Sequence, residues 1–133
     1  MHDLNDLLSR LKFNADNHIP AIIQDEPTGR VLTLCYMTRE ALQKTIEERF
    51  VYVFRRSLGK LMKKGESSGH VQELVDLSLD CEGKSLLIRI RQHVAGCHRG
   101  YFSCYYESFD TKDGFQIREE RLFDPGAVYK KGS

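Results

Sequence analysis

The stretch Val75-Asp76-Leu77-Ser78-Leu79-Asp80-Cys81-Glu82-Gly83 decides the fold class. Val75, Leu77, Leu79 and Cys81 alternate with Asp76, Ser78, Asp80 and Glu82. A period of two places these sets on opposite faces of a strand. Gly83 marks a turn, and residues 85–94 return as a second strand. Upstream, residues 51–54 read as a strand. Before them Thr38 caps a helix running to about residue 49, with Ala41, Leu42, Thr45 and Ile46 on its inner face. Residues 20–24 and 31–37 read as a hairpin joined by Asp25-Glu26-Pro27-Thr28-Gly29. Leu4, Leu7, Leu8 and Leu11 recur at helical spacing behind Asp3, a short amphipathic helix. Downstream, residues 105–109 and 115–123 read as strands around the turn signal Asp113-Gly114. The class is α+β and β-rich, one domain over residues 1–133.

The 133 residues suit a single domain that can bury a core without covalent staples. Hydrophobic content of 41% and charged content of 29% are those of a globular chain. The net charge of +1 predicts no nucleic-acid and no membrane partner from bulk electrostatics. The first residues carry Asp3 and Asp6 among leucines and lack the basic flank and apolar run of a signal peptide. The expectation is a cytoplasmic protein, where clustered cysteines point to metal or catalysis rather than to disulfides.

Cys81, Cys97 and Cys104 fall in a short stretch with His93 and His98. Three thiolates plus water form the open pattern of a catalytic zinc, whereas structural zinc takes four protein ligands. Spacing leaves two readings open, zinc ligands or small buried thiols. Cys35, inside an apolar strand, reads as a core residue. On a strand, Asp80 and Glu82 share one face while Cys81 points to the other, which would serve a second, magnesium-type site. The plainer reading of the pair is a solvated strand end at a hairpin turn. Residues 55–70 form a basic, Gly- and Ser-containing loop region. Within it, residues 63–70 offer the cations, hydroxyls and glycine amides that cradle phosphate, without the order of a P-loop. On composition alone this is a charged surface loop.

Three motifs together resemble the phosphoribosyl-AMP cyclohydrolases of histidine biosynthesis. They are Lys64-Gly65-Glu66-Ser67-Ser68-Gly69-His70, Leu79-Asp80-Cys81-Glu82-Gly83, and Cys97-His98-x-Gly100-x-x-Ser103-Cys104-x-Tyr106. The similarity extends to Gln24-Asp25, Thr28-Gly29, Met37 and Arg39-Glu40-Ala41-Leu42, covering about residues 21–106. The resemblance implies an intertwined homodimer with a β-rich pseudobarrel, and a zinc bound by Cys81, Cys97 and Cys104 drawn from both subunits. It implies hydrolysis of the N1–C6 bond in the adenine ring of phosphoribosyl-AMP. His98 is the first candidate for proton transfer and His70 the second, although a histidine beside a ligand can also serve only to orient the site. Arg56, Ser57, Lys64, Gly65, Ser67, Ser68 and Gly69 are the implied phosphate and substrate contacts.

The family's magnesium motif, Asp-Cys-Asp-x-Asp, lands on Asp80, Glu82 and Lys84. Lys84 cannot ligate a cation while protonated. Arg55, Leu58 and Met62 also depart from the pattern, at positions usually small and polar, arginine and tryptophan. Two other readings compete: a divergent relative acting on another nucleotide, and a non-catalytic zinc-stapled binding domain.

Overall fold

The computed structural model describes residues 4–55, 59–65, 71–92 and 102–118. Its elements are α1 (Leu4–Ser9), β1 (His18–Asp25), β2 (Val31–Thr38), α2 (Arg39–Glu48), β3 (Tyr52–Arg55), β4 (Lys60–Lys63), β5 (Gln72–Leu79), β6 (Leu86–Gln92), β7 (Glu107–Asp110) and β8 (Gly114–Ile117). Four strands form one sheet in the order β2-β1-β6-β5. The sheet is mixed. β1 runs antiparallel to β2 and parallel to β6, and β6 runs antiparallel to β5. Two separate two-stranded sheets pair β3 with β4 and β7 with β8.

Alternation explains the core. Along β1, Ile19, Ala21 and Ile23 are fully buried and meet Leu86, Ile88 and Ile90 of β6 on the same face. Leu32 and Met37 of β2, Ala41 and Leu42 of α2, and Val51 complete this layer. The Asp25 carboxylate closes the β1–β2 turn by accepting from the Thr28 amide and hydroxyl. Thr38 caps α2 by accepting from the Ala41 amide at 3.1 Å, as its side chain and position predict. Arg49 ends the helix in the left-handed conformation. Inside α2, Thr45 donates to the Ala41 carbonyl and accepts from the Tyr52 amide, fastening the helix to β3. The predicted inner face holds, except that Ile46 is only partly buried against the core.

Three expectations need correction. The basic loop region contains a strand. β4 pairs with β3 from Tyr52↔Lys63 to Arg55↔Lys60, and the lysines at both its ends hide the pattern in sequence. The alternation across residues 75–82 is broken twice. The β5–β6 register shifts between Leu74 and Asp76, so Leu74, Leu77 and Leu79 face the core and Val75 does not. β5 also ends at Leu79, so Asp80, Cys81 and Glu82 belong to a turn and not to opposite faces of a strand. Finally, the last hairpin starts two residues later than predicted, at Glu107, and β8 stops at Ile117. Residues 119–123 of that predicted strand lie outside the described residues. Among the described residues, no helix is long and apolar enough to cross a membrane.

Candidate metal centre

The turn between β5 and β6 carries Cys81, and Asp80 organises it. One Asp80 carboxylate oxygen accepts from the Glu82 and Lys84 amides at 3.0 and 2.9 Å, and the other accepts from the Ser85 hydroxyl at 2.6 Å. These bonds, led by the one from Ser85, hold the Asp80 carboxyl below its ordinary range. A short acidic side chain that captures the amides ahead of it is an Asx turn, so Asp80 here builds backbone. Gly83 lies at φ +71° with its carbonyl accepting from the Lys12 amide at 2.7 Å. A Cβ on Gly83 would stand 2.1 Å from the Arg10 carbonyl oxygen. The turn is therefore clamped against the segment that follows α1, and the Cys81 thiol projects from it exposed. Sequence reading missed this clamp, because Arg10 and Lys12 carry no local signal of a partner some seventy positions away.

Cys104 is held at a different corner of the main sheet. Its amide donates to the Leu32 carbonyl of β2 at 2.7 Å. The buried Ser103 hydroxyl donates to the Val31 carbonyl at 2.7 Å and accepts from the Tyr105 amide. Beside Cys104 lies an open cavity of about 420 Å³ lined by Arg30, Val31, Tyr105 and Arg118. Leu32 sits at the level of Ile23 and Gln24, near the end of β1, whereas Leu86, which follows the Cys81 turn, pairs with Ala21. The turn is on the β5–β6 side and Cys104 is on the β2 side, two to three strand spacings away, about 10–14 Å. Zinc–sulfur bonds of about 2.3 Å bring two ligating sulfurs within about 4 Å of each other. One subunit in this arrangement thus keeps Cys81 and Cys104 apart.

Comparison with known proteins decides the family. The profile of phosphoribosyl-AMP cyclohydrolase matches residues 33–106. The chain is 43% identical to a phosphoribosyl-AMP cyclohydrolase of Methanothermobacter thermautotrophicus, over 98% of this chain and 96% of that protein. It is likewise 43% identical to one from Pseudomonas putida, over 97% and 99% of the two chains. The chain belongs to the phosphoribosyl-AMP cyclohydrolase family. It is accordingly a hydrolase, which removes the reading as a non-catalytic zinc-stapled domain.

In this cyclohydrolase-family chain the three free thiols of the described residues differ in character. Cys81 is exposed and Cys104 partly so, each on a backbone held by hydrogen bonds, which suits thiolate donors. Cys35 is packed against the core, and burial pushes its thiol up to about 11, despite the opposing charge of Lys64. It is partly buried and packed against the core, in keeping with the apolar strand, and its raised titration disfavours the thiolate at neutral pH. Alkylation at pH 8 of zinc-free protein should accordingly label Cys81 rapidly and Cys35 far more slowly. Peptide mass mapping over time would show it, and equal labelling of the two would contradict the assignment. Lys64 is anchored through its amide to the Val51 carbonyl at 2.8 Å, and Gly65 follows at φ +79°. Met62 is half-buried on β4 opposite Val53. Arg56, Ser57, Ser67, Ser68, Gly69, His70, Cys97 and His98 lie outside the described residues, as does Leu58.

Proposed function

We propose that this chain, as one domain over residues 1–133, hydrolyses the N1–C6 bond of phosphoribosyl-AMP in histidine biosynthesis. The proposed zinc site takes Cys104, together with Cys97, from one subunit and the partner subunit's Cys81. Family membership supports the reaction. The observation that carries the shared site is the placement of Cys81 and Cys104 at diagonally opposite corners of one sheet. Symmetry then supplies two such sites per dimer, each completed by the other copy.

A dimer also accounts for apolar surface left uncovered. Ile22 pairs across the strands with Leu34, and Pro20 with Tyr36, on the face opposite the core. Leu34 and Tyr36 are 45% and 54% exposed. Among the described residues, the β7–β8 hairpin pairs with no strand of the main sheet and exposes Phe109, Phe115 and Ile117. Such patches mark protein interfaces. An intertwined dimer that buries them would join the two mixed sheets into the expected pseudobarrel.

Cys81, Cys97 and Cys104 would hold the zinc, whose chemistry would be to make water acidic enough to react near neutral pH. The remaining work falls to side chains. C6 is electron-poor because N1 is substituted and cationic. Attack places the water oxygen on C6, the N1–C6 bond breaks with its electron pair going to N1, and C6 becomes a carboxamide carbon. His98 is the proposed proton carrier, with His70 second. Lys64 and Arg56, with Ser57, Gly65, Ser67, Ser68 and Gly69, would hold the substrate's phosphates. The test is a direct assay with phosphoribosyl-AMP, following ring opening by absorbance. No turnover by zinc-loaded dimer would reject the proposal.

Metal removal should act on assembly as well as on chemistry. If the zinc bridges subunits, its binding energy is part of the dimer's stability. Sedimentation at micromolar protein is expected to show a shift from dimer toward monomer on chelation, reversed by added zinc. A stable, active monomer would refute the shared site.

A further inference from the structure

The resemblance implies a magnesium ion on the acidic turn, and the residues present do not fit one. Magnesium demands near-octahedral oxygen donors and is usually held by one or two carboxylates with several waters. Both oxygens of Asp80 already accept bonds from inside the turn, from the Glu82 and Lys84 amides and from Ser85. Glu82 is paired with Lys84, whose ammonium lies 3.0 Å from the Glu82 carboxylate. The third carboxylate of the implied motif is replaced by that same lysine.

We propose that the Lys84 ammonium is the resident cation of this turn, and that the chain works without a divalent ion there. The geometry favours it on two counts. The ammonium on the Glu82 carboxylate is a favourable counter-charge, and a divalent ion would have to displace it or bind next to it against like charge. The backbone of Lys84 is also fixed, since its amide is held by Asp80 and the preceding Gly83 is clamped to Lys12. The lysine therefore starts from one position, within reach of Glu82. The exposed pair contributes little to stability. Its consequence is selectivity: it removes a metal requirement from a turn whose other task is to carry Cys81.

The functional half of the proposal rests on the cyclohydrolase reading, whereas the binding half does not. Manganese(II) serves as the probe, because its free aquo ion is read directly by electron paramagnetic resonance. Zinc-loaded native protein, Lys84→Gln and Lys84→Asp are titrated with manganese, and each is assayed for ring opening with and without magnesium. The native protein should bind manganese at least tenfold more weakly than Lys84→Asp, with Lys84→Gln between them. Native activity should be indifferent to magnesium, while Lys84→Asp should respond to it. Native binding as tight as that of Lys84→Asp would overturn the proposal, as would a strong magnesium requirement of the native enzyme. If Lys84→Asp does not fold, Lys84→Gln decides: binding no tighter than native overturns the idea. If phosphoribosyl-AMP is not turned over at all, the resonance titration still answers the binding question separately.

Discussion

Cys81→Ser and Cys104→Ser should each lose zinc and fall at least about a thousandfold in activity, yet the two inactive proteins should restore activity when combined. A serine hydroxyl at neutral pH is a poor substitute for thiolate on zinc, so one lost ligand leaves two protein donors and an unstable site. The combination is the discriminating part. In a heterodimer of the two variants, one site inherits both lesions and the other inherits neither, provided that Cys81 and Cys104 come from different subunits. Random pairing makes about half of the dimers mixed, each with one of its two sites intact, so about a quarter of native activity should return. Zinc content should recover in parallel. If both ligands belonged to one subunit, every site in every mixture would carry a lesion and no activity would return. Co-refolding equimolar variants and measuring zinc and ring opening is the measurement. The prediction follows from the sheet order, which puts the Cys81 turn and the Cys104 anchor on opposite sides of β1.

Gly83→Ala should be strongly destabilising for the addition of a single methyl. Two costs add. The left-handed conformation at φ +71° costs an L-residue about 1–2 kcal/mol. The new Cβ would also meet the Arg10 carbonyl oxygen at 2.1 Å, and overpacking of this kind costs about 1–3 kcal/mol. Because the obstacle is backbone, relief requires moving either the turn or the segment after α1. The expected loss is about 3 kcal/mol in urea unfolding, a large part of a typical domain's 5–15 kcal/mol. Gly29 supplies the control. It has nearly the same φ, +77°, but a Cβ there would find nothing within 4 Å. Gly29→Ala should therefore show the conformational cost alone. The clamp also aims Cys81, so Gly83→Ala should weaken zinc retention in a chelator competition while Gly29→Ala should not. Equal losses of stability for the two alanines would show that the Arg10 contact carries no weight.

Much of this protein is legible without coordinates. The alternating run at 75–82 marks β5, strand-like segments flanked by turn signals mark β1, β2 and β6, and Thr38 announces α2, because side-chain burial and capping act over a few residues and leave their record locally. The motif order 64–70, 79–83 and 97–106 pointed to the cyclohydrolase family, and the profile match over residues 33–106 agrees. Cys35 reads as core from its apolar neighbours, and burial raises its thiol as that reading requires. What sequence could not supply is pairing between distant segments. β4 escapes notice because its lysines obscure a strand that exists only through β3. The slip at Leu74–Asp76 takes Val75 off the core face through a partner strand's register, to which the local alternation is blind. Asp80 looks like a metal ligand by residue type, and only the turn geometry reveals that its oxygens are engaged by Glu82, Lys84 and Ser85. The same division holds at the metal centre. For the proposed site, sequence offers Cys81, Cys97 and Cys104 as candidate ligands only through the family motifs they stand in. Tertiary structure alone decides that Cys81 and Cys104 stand at opposite corners of one sheet, because that distance depends on the parallel pairing of β1 with β6, set by the core they share.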